Sequence, residues 1–203
     1  NVEGVGLDRA RVKYSHLGIQ INSRLRTSNR RIYAAGDVLG GPMFTHAASY
    51  HADIIIRNIL FRLPAKARAA IPSTVYTAPE LASIGLRESD MAFRQKQMSV
   101  LRWPLAENDR ARTESQSEGL IKLVVDRRGR VMGAHILAPN AGDLIVPWVM
   151  AVARSDKLSN WASMVIPYPT FSEIGKRAAG SYYQTTLSSN WVKGLVKLLM
   201  KFG

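Results

Sequence analysis

The first strong pattern along the chain is the apolar run Ile32, Tyr33, Ala34 and Ala35, bounded by Arg30-Arg31 on one side and Gly36 on the other. Four uninterrupted apolar residues predict a short strand over 32–35, buried on both faces. A Gly36-Asp37 corner and a Gly40-Gly41-Pro42 loop follow. Apolar positions then recur at Ala47, Ala48, Ile54, Ile55, Ile56, Ile59 and Leu60, predicting a helix opened by Thr45 and His46 and running to Phe61. Residues 63–72, rich in proline, alanine and cations, break the pattern and read as a linker.

Beyond the linker the period shortens. Residues 74–77 and 81–86 are β-prone and separated by Ala78-Pro79-Glu80; 88–95 is a candidate helix; 99–103 reads as a strand ending at Pro104. The pair 119–126 and 130–137 flanks Asp126-Arg127-Arg128-Gly129, a hairpin turn with glycine where positive φ is needed. Helical spacing resumes over 141–155, 158–164 and 169–184, with Pro169 and Thr170 suited to the helix start. Such strands and helices bury their apolar faces together as an α+β domain, an antiparallel sheet with helices on one side. The predicted division is 1–65, an α/β piece, and 66–203. Leu144, Val146, Trp148 and Val149 read as core or as an interface between subunits.

A final stretch stands apart. Between Asn190 and Phe202, Trp191, Val192, Leu195, Val196, Leu198, Leu199 and Phe202 are apolar, while Lys193, Lys197 and Lys201 recur every fourth residue. Such a basic amphipathic helix commonly packs on its own domain with its lysines in solvent. The other reading of residues 190–202 is peripheral contact with an anionic membrane, or a partner.

Composition narrows the function classes. The 203 residues hold 28 Lys and Arg against 15 Asp and Glu, a formal charge of +13. The cations are mostly scattered and no nucleic-acid-binding motif accompanies them, so nucleic acid is not the expected partner. No uninterrupted apolar run is long enough to span a bilayer. The chain contains no cysteine, which removes thiol chemistry from these residues and fits a reducing, cytoplasmic compartment. His46 and His51, five apart, and His135 have no companions at metal-ligand spacing, so no metal site is expected.

The Gly36-Asp37 corner is the strongest candidate for chemistry. Glycine lets backbone approach a ligand closely, and a carboxylate at a strand end suits a ribose or ribitol hydroxyl. The N-H groups of the next helix's first turn, at its positive end, suit an electron-rich ring edge. The ordinary alternative is a strand-loop-helix unit with a turn aspartate.

The longer string Arg31 to Ser49 resembles the carboxyl-terminal flavin motif of the pyridine nucleotide-disulfide oxidoreductases, the FAD flavoproteins that include dihydrolipoamide dehydrogenase, glutathione reductase and mercuric reductase. Three further landmarks follow the family's order. Gly18 to Asn22 with Leu25 to Asn29 resembles its return from the NAD domain to the FAD domain. Ile71 to Glu80 with Leu81 to Leu86 resembles the start of its dimerisation domain. Pro167-Tyr168-Pro169-Thr170-Phe171-Ser172-Glu173 stands where the family carries a His-Pro-Thr-x-x-Glu motif.

The resemblance implies a remnant of the FAD-binding α/β domain followed by a dimerisation domain. It implies FAD in the intact protein, NADH or NADPH as reductant, a small-molecule electron acceptor, and a homodimer in which the partner subunit completes each site. Gly36, Asp37, Phe44, Thr45 and His46 are the implied cofactor-binding residues, Asp37 toward a flavin-side hydroxyl and Thr45 through its backbone N-H. Tyr168 and Glu173 are the implied catalytic residues. Tyrosine in place of the family's histidine is a departure, because a phenol is a poor base near neutrality and a good hydrogen-bond donor. It resembles the mercuric reductases, although their carboxyl-terminal cysteine pair is absent. No Gly-x-Gly-x-x-Gly occurs and position 1 is Asn. The glycine-rich phosphate loop and most of the NAD domain are therefore expected upstream, and this chain is expected to be inactive alone. The rival expectation is a non-catalytic dimerisation module whose tail binds a membrane or partner.

Overall fold

A computed structural model describes residues 2–93 and 98–201. They form two compact units that meet in sequence between Ile71 and Pro72. Residues 63–71 of the linker, expected to follow a first unit closing near residue 65, belong to that unit. Their backbone is tied back by Asn58 Nδ2 donating to the Ala65 carbonyl and by the Arg68 and Ala69 amides donating to the Tyr50 hydroxyl.

The first unit contains a two-stranded ribbon, β1 (Tyr14–Ser15) and β2 (Gly18–Ile19), and the helix α1 (Thr45–Ile59). The strand expected over 32–35 does not form. The backbone there is extended, but a strand exists only through its neighbours, and the single bridge made is Tyr33 with Arg26. The Arg26 guanidinium also donates to the Tyr33 hydroxyl, with Nη2 at 2.6 Å. Only Ala34 of the four apolar residues is buried. A 3-10 turn at Gly36–Leu39 then leads toward α1, of which Ala47 and Ile54 are buried while Ile56, Ile59 and, just past its end, Leu60 are exposed.

The second unit is a five-stranded antiparallel sheet in the order β3-β4-β7-β6-β5, built from β3 (Ser73–Val75), β4 (Glu80–Gly85), β5 (Met98–Pro104), β6 (Leu120–Asp126) and β7 (Val131–Ala138). The β6-β7 hairpin turns where expected. Asp126 Oδ1 accepts the Arg128 and Arg130 amides at 2.8 Å, and Gly129 sits at φ +72°. Alternate residues face one side: Ala82, Ile84, Ile121, Leu123, Ala134 and Ile136 are buried there. The opposite face carries the half-buried Ser83, Lys122 and His135.

The helices that cover the buried face are α2 (Asp109–Thr113), α3 (Ala141–Leu144), α4 (Val146–Arg154), α5 (Leu158–Ala162) and α6 (Glu173–Leu187). The sequence pattern predicted one helix over 141–155, and two are found. Pro147 lacks an N-H and its ring crowds the preceding turn, so the chain restarts there with proline in the first turn of α4. Trp148 stacks on Trp161 of α5, ring centres 4.0 Å apart, in the core. Val146 of the same stripe remains exposed, as does Met150 beside it. The segment expected as a helix over 88–95 is a 3-10 helix at Glu88–Phe93, with Gln95 outside the described residues.

Two further expectations are corrected. Helix α6 begins at Glu173 rather than at Pro169, because residues 167–172 are held in turns by contacts described below. The last helix, α7 (Asn190–Leu199), is capped by Ser189 Oγ accepting the Val192 amide, and none of its residues is buried. Packing on its own domain, the commoner outcome for such a pattern, is therefore not what it does. Phe202, the last apolar residue of the pattern, lies outside the described residues.

Candidate functional site

The first unit presents the Gly36-Asp37 corner at the start of a 3-10 turn, with Asp37 in its first turn and exposed. Gly36 has φ +72°, and a Cβ built on it would lie 3.1 Å from the Ala48 side chain, so the corner rests directly on α1. The Gly36 amide donates to His51 Nδ1 at 3.2 Å, which pins the corner nearly two turns into α1. That histidine was not among the expected cofactor residues; its spacing from the corner, about four helical turns of sequence, gave no local signal.

Phe44 is extended and precedes α1 without a side-chain cap, its carbonyl accepting from Ala47 and Ala48. The N-H groups of Thr45 and His46 thus stand ahead of the first intrahelical bond, at the positive end of a fifteen-residue helix. The Thr45 and His46 side chains are exposed, and the His46 ring stacks on Phe44 at 5.1 Å. An exposed carboxylate, a glycine in close backbone contact and an uncapped helix start are a donor and acceptor set that fits a flavin's hydroxyls and ring edge.

In the second unit the loop 167–172 is held by two consecutive residues of the α2 start. Asn108 is buried; its Oδ1 caps α2 by accepting the Ala111 amide at 2.9 Å, and its Nδ2 donates to the Thr170 carbonyl at 3.0 Å. Beside it, Asp109 Oδ2 accepts the Tyr168 hydroxyl at 2.8 Å. That bond, and then the carboxylate's charge, raise the Tyr168 phenol above its ordinary range. Thr170 Oγ1 closes the loop on the Pro167 carbonyl at 2.9 Å, and the Tyr168–Pro169 peptide is cis.

Glu173 opens α6 with a side chain only 15% exposed, its Oε1 accepting Arg177 Nε at 3.0 Å and Nη2 at 2.9 Å. Tyr168 and Glu173 share one groove of about 550 Å³ with Trp103, Lys176 and Arg177, but each has its own partner, Asp109 for the phenol and Arg177 for the carboxylate. The Trp103 indole N-H is buried without an acceptor among the described residues. Asn108 and Asp109 were missed by the sequence reading, although Asn before Asp-Arg-Ala is a legible helix cap. Among the described residues no group of three His, Cys, Asp or Glu side chains could hold a metal ion.

An antiparallel sheet backed by helices, preceded by a cofactor-type corner, defines the class to which this architecture belongs. Residues 71–179 match the family described as pyridine nucleotide-disulphide oxidoreductase, dimerisation domain, and residues 1–52 match the one described as pyridine nucleotide-disulphide oxidoreductase. The chain belongs to the pyridine nucleotide-disulphide oxidoreductase family. Dihydrolipoyl dehydrogenase 3 of Pseudomonas aeruginosa is 33% identical over 178 residues, 87% of this chain and 38% of that protein. Leghemoglobin reductase of Glycine max is 32% identical over 182 residues, 89% of this chain and 35% of that protein. Among solved structures, LpdA from Mycobacterium tuberculosis superimposes with a TM-score of 0.81 at 28% identity, over 90% of this chain and 40% of that one. The chain spans about two fifths of the length of the relatives it matches.

Proposed function

We propose that this chain serves as the carboxyl-terminal, dimer-forming part of an FAD-dependent oxidoreductase that takes electrons from NADH or NADPH and passes them to a small-molecule acceptor. Two copies pair through residues 72–203, and the chain by itself is inactive. The observation that carries this reading is the order of the two matched regions, a flavoprotein region over 1–52 and its dimerisation domain over 71–179, on one chain.

Within that protein Asp37 accepts from a flavin-side hydroxyl, Gly36 keeps the backbone close, and the Thr45 amide meets the ring edge with Phe44 and His46 beside it. The flavin, when bound, supplies the electron-transfer chemistry. Tyr168 acts toward the acceptor as a hydrogen-bond or proton donor. In this structure Asp109 takes the phenol's one hydrogen, so the hydroxyl donates to the acceptor only on turning away from Asp109, and Glu173 with Arg177 forms the charged wall of the same groove. The Trp103 ring forms part of the same groove wall.

The protein that contains this chain should be yellow when purified and lose its flavin absorbance on anaerobic addition of NADH or NADPH. A colourless, redox-silent preparation refutes the reading. The 203-residue chain alone should sediment as a dimer and show no NAD(P)H turnover with added FAD; turnover would overturn its assigned inactivity. Among the described residues no helix is long and apolar enough to cross a membrane. The exposure of α7 favours an additional docking role at the periphery of a membrane's cytoplasmic face.

A further inference from the structure

Helix α7 presents two faces. At about 100° per residue, Trp191, Val192, Leu195, Val196, Leu198, Leu199 and Met200 fill one contiguous arc of about 200°. Lys193, Lys197 and Lys201, with Gly194, fill the remainder. Apart from the half-buried Val192 the apolar arc is uncovered: Trp191 is 74% exposed, Leu199 60% and Leu198 51%. The Ser189 cap at its start makes α7 a helix separate from α6.

Charge decides what covers that arc. No Asp or Glu follows Glu173 in the sequence, while Lys193, Lys197 and Lys201 form a row, and none of the three makes an ion pair among the described residues. The three lysines lie on the side away from the arc and would not hold a second copy apart, but three turns are too few for a stable two-helix coil. At about 15 Å long, the helix also falls well short of the roughly 30 Å of a bilayer's hydrocarbon core.

We infer that α7 lies in the plane of an anionic bilayer surface, its apolar arc sunk below the headgroups, Trp191 anchoring its start and the three lysines level with the lipid phosphates. Lys193 borders the apolar arc, and the long stems of Lys197 and Lys201, on the polar side, reach toward the headgroups. The helix thereby fixes the second unit at a membrane without spanning it. This inference does not rest on the flavoprotein reading, and its test uses no redox signal.

The test is flotation of the 203-residue chain with vesicles of phosphatidylcholine alone, or with about one part in four phosphatidylglycerol, followed by Trp191 emission. The expected result is binding roughly tenfold tighter to the anionic vesicles, with a blue shift that Trp191→Phe removes. Leu195→Glu with Leu198→Glu should abolish flotation without changing the melting temperature, since neither side chain is buried. Lys193→Gln, Lys197→Gln and Lys201→Gln together should erase the difference between the two vesicle types. Failure of the native chain to float, or equal flotation of the leucine variant, overturns the inference. So does a leucine variant that loses mass in sedimentation while the native chain ignores vesicles, because a second copy then covers the arc.

Discussion

The Tyr168 hydroxyl donates a 2.8 Å hydrogen bond to Asp109 Oδ2 across 59 residues of sequence. The bond joins the loop that bears the family's motif position to the first residue of α2. It gives the phenol an acceptor that is an anion, so the phenol keeps its proton to higher pH than a free tyrosine, first through the bond and then through the charge.

Asp109→Asn leaves a side chain that still accepts the bond but removes the charge. The Tyr168 titration should move down toward the ordinary tyrosine range, near ~10. A Tyr Cζ-labelled sample, with Tyr168 assigned by Tyr168→Phe, reads this directly by NMR. A titration unmoved by the substitution would mean that the pair is not formed in solution. The sign for stability follows from the raised value. The contribution is complete below the unfolded pKa and is lost as pH rises through the folded one.

Asn108 holds the same loop from one residue earlier, with one side-chain atom on α2 and another on the Thr170 carbonyl. Asn108→Ala removes a helix cap and leaves a carbonyl without its donor, for a loss of about 2 kcal/mol. Asn108→Ser keeps an N-cap acceptor without burying a charge but is too short to reach the Thr170 carbonyl, so it should recover about half of that loss. Urea melts of the three proteins measure both, and equal stability of all three would rule out the loop clamp.

The contrast between what was legible and what was not follows from the range of the interactions. The β6-β7 hairpin was readable because Asp126 and Gly129 carry its turn locally, and α1 because its apolar spacing runs unbroken. The sheet backed by helices was readable from the shift of period after residue 72. The strand over 32–35 was misjudged because strand formation depends on neighbours that periodicity does not report. The start of α6 was misplaced for a related reason. Pro169-Thr170 is a good local helix start, but Asn108 and Asp109, some 60 residues away, hold that stretch in turns. Tyr168 and Glu173 were singled out from the motif; Asp109, 59 residues from Tyr168, had to come from the fold, whereas Arg177 stands four residues after Glu173, at a spacing that is local on a helix.

His135 of β7 donates from Nε2 to the Leu86 carbonyl at 2.9 Å on the half-buried face of the sheet. Burial lowers its pKa, the Leu86 bond opposes this, Lys122 and Arg87 add to the lowering, and Asp90 opposes it; the net direction is down. A depressed value means that the unfolded chain takes up the proton first. The stabilisation present above about pH 6.5 is therefore lost as pH falls through the folded value. His135→Gln retains a donor for Leu86 without a titrating ring, and its melting temperature should fall less steeply with acidification. Parallel curves for the two proteins would assign the acid sensitivity to another group.

Gly175, in the first turn of α6, lies against Trp148. A Cβ there would sit 2.6 Å from Trp148 Cζ2, and Trp148 is held in place by its stack on Trp161. Gly175→Ala would gain helix propensity on an open surface. Here the overlap cannot be relieved by a flexible side chain, and the expected net loss is about 1–3 kcal/mol. Trp148→Phe in the same background should return part of that loss by vacating the overlapping ring. A denaturant series across the four proteins forms the cycle, and additivity of the two substitutions would show that they do not touch.

The bond from the Gly36 amide to His51 Nδ1 ties the cofactor-type corner to α1 and requires the His51 ring to carry its proton on Nε2. Removing the acceptor in His51→Ala leaves the turn at Gly36–Leu39 without this anchor, while the backbone bond from Gly40 to Asp37 remains. The Gly36 amide should then exchange with solvent roughly tenfold faster, as expected for the loss of one net hydrogen bond, while amides in the middle of α1 keep their protection. In the protein that contains this chain, the same substitution should lower flavin retention less than Asp37→Ala does, because it loosens the corner but spares the carboxylate. Unchanged exchange at Gly36 would show that the corner is held by its own turn alone. Flavin retention lower in His51→Ala than in Asp37→Ala would transfer the principal role from the aspartate to the geometry of the corner.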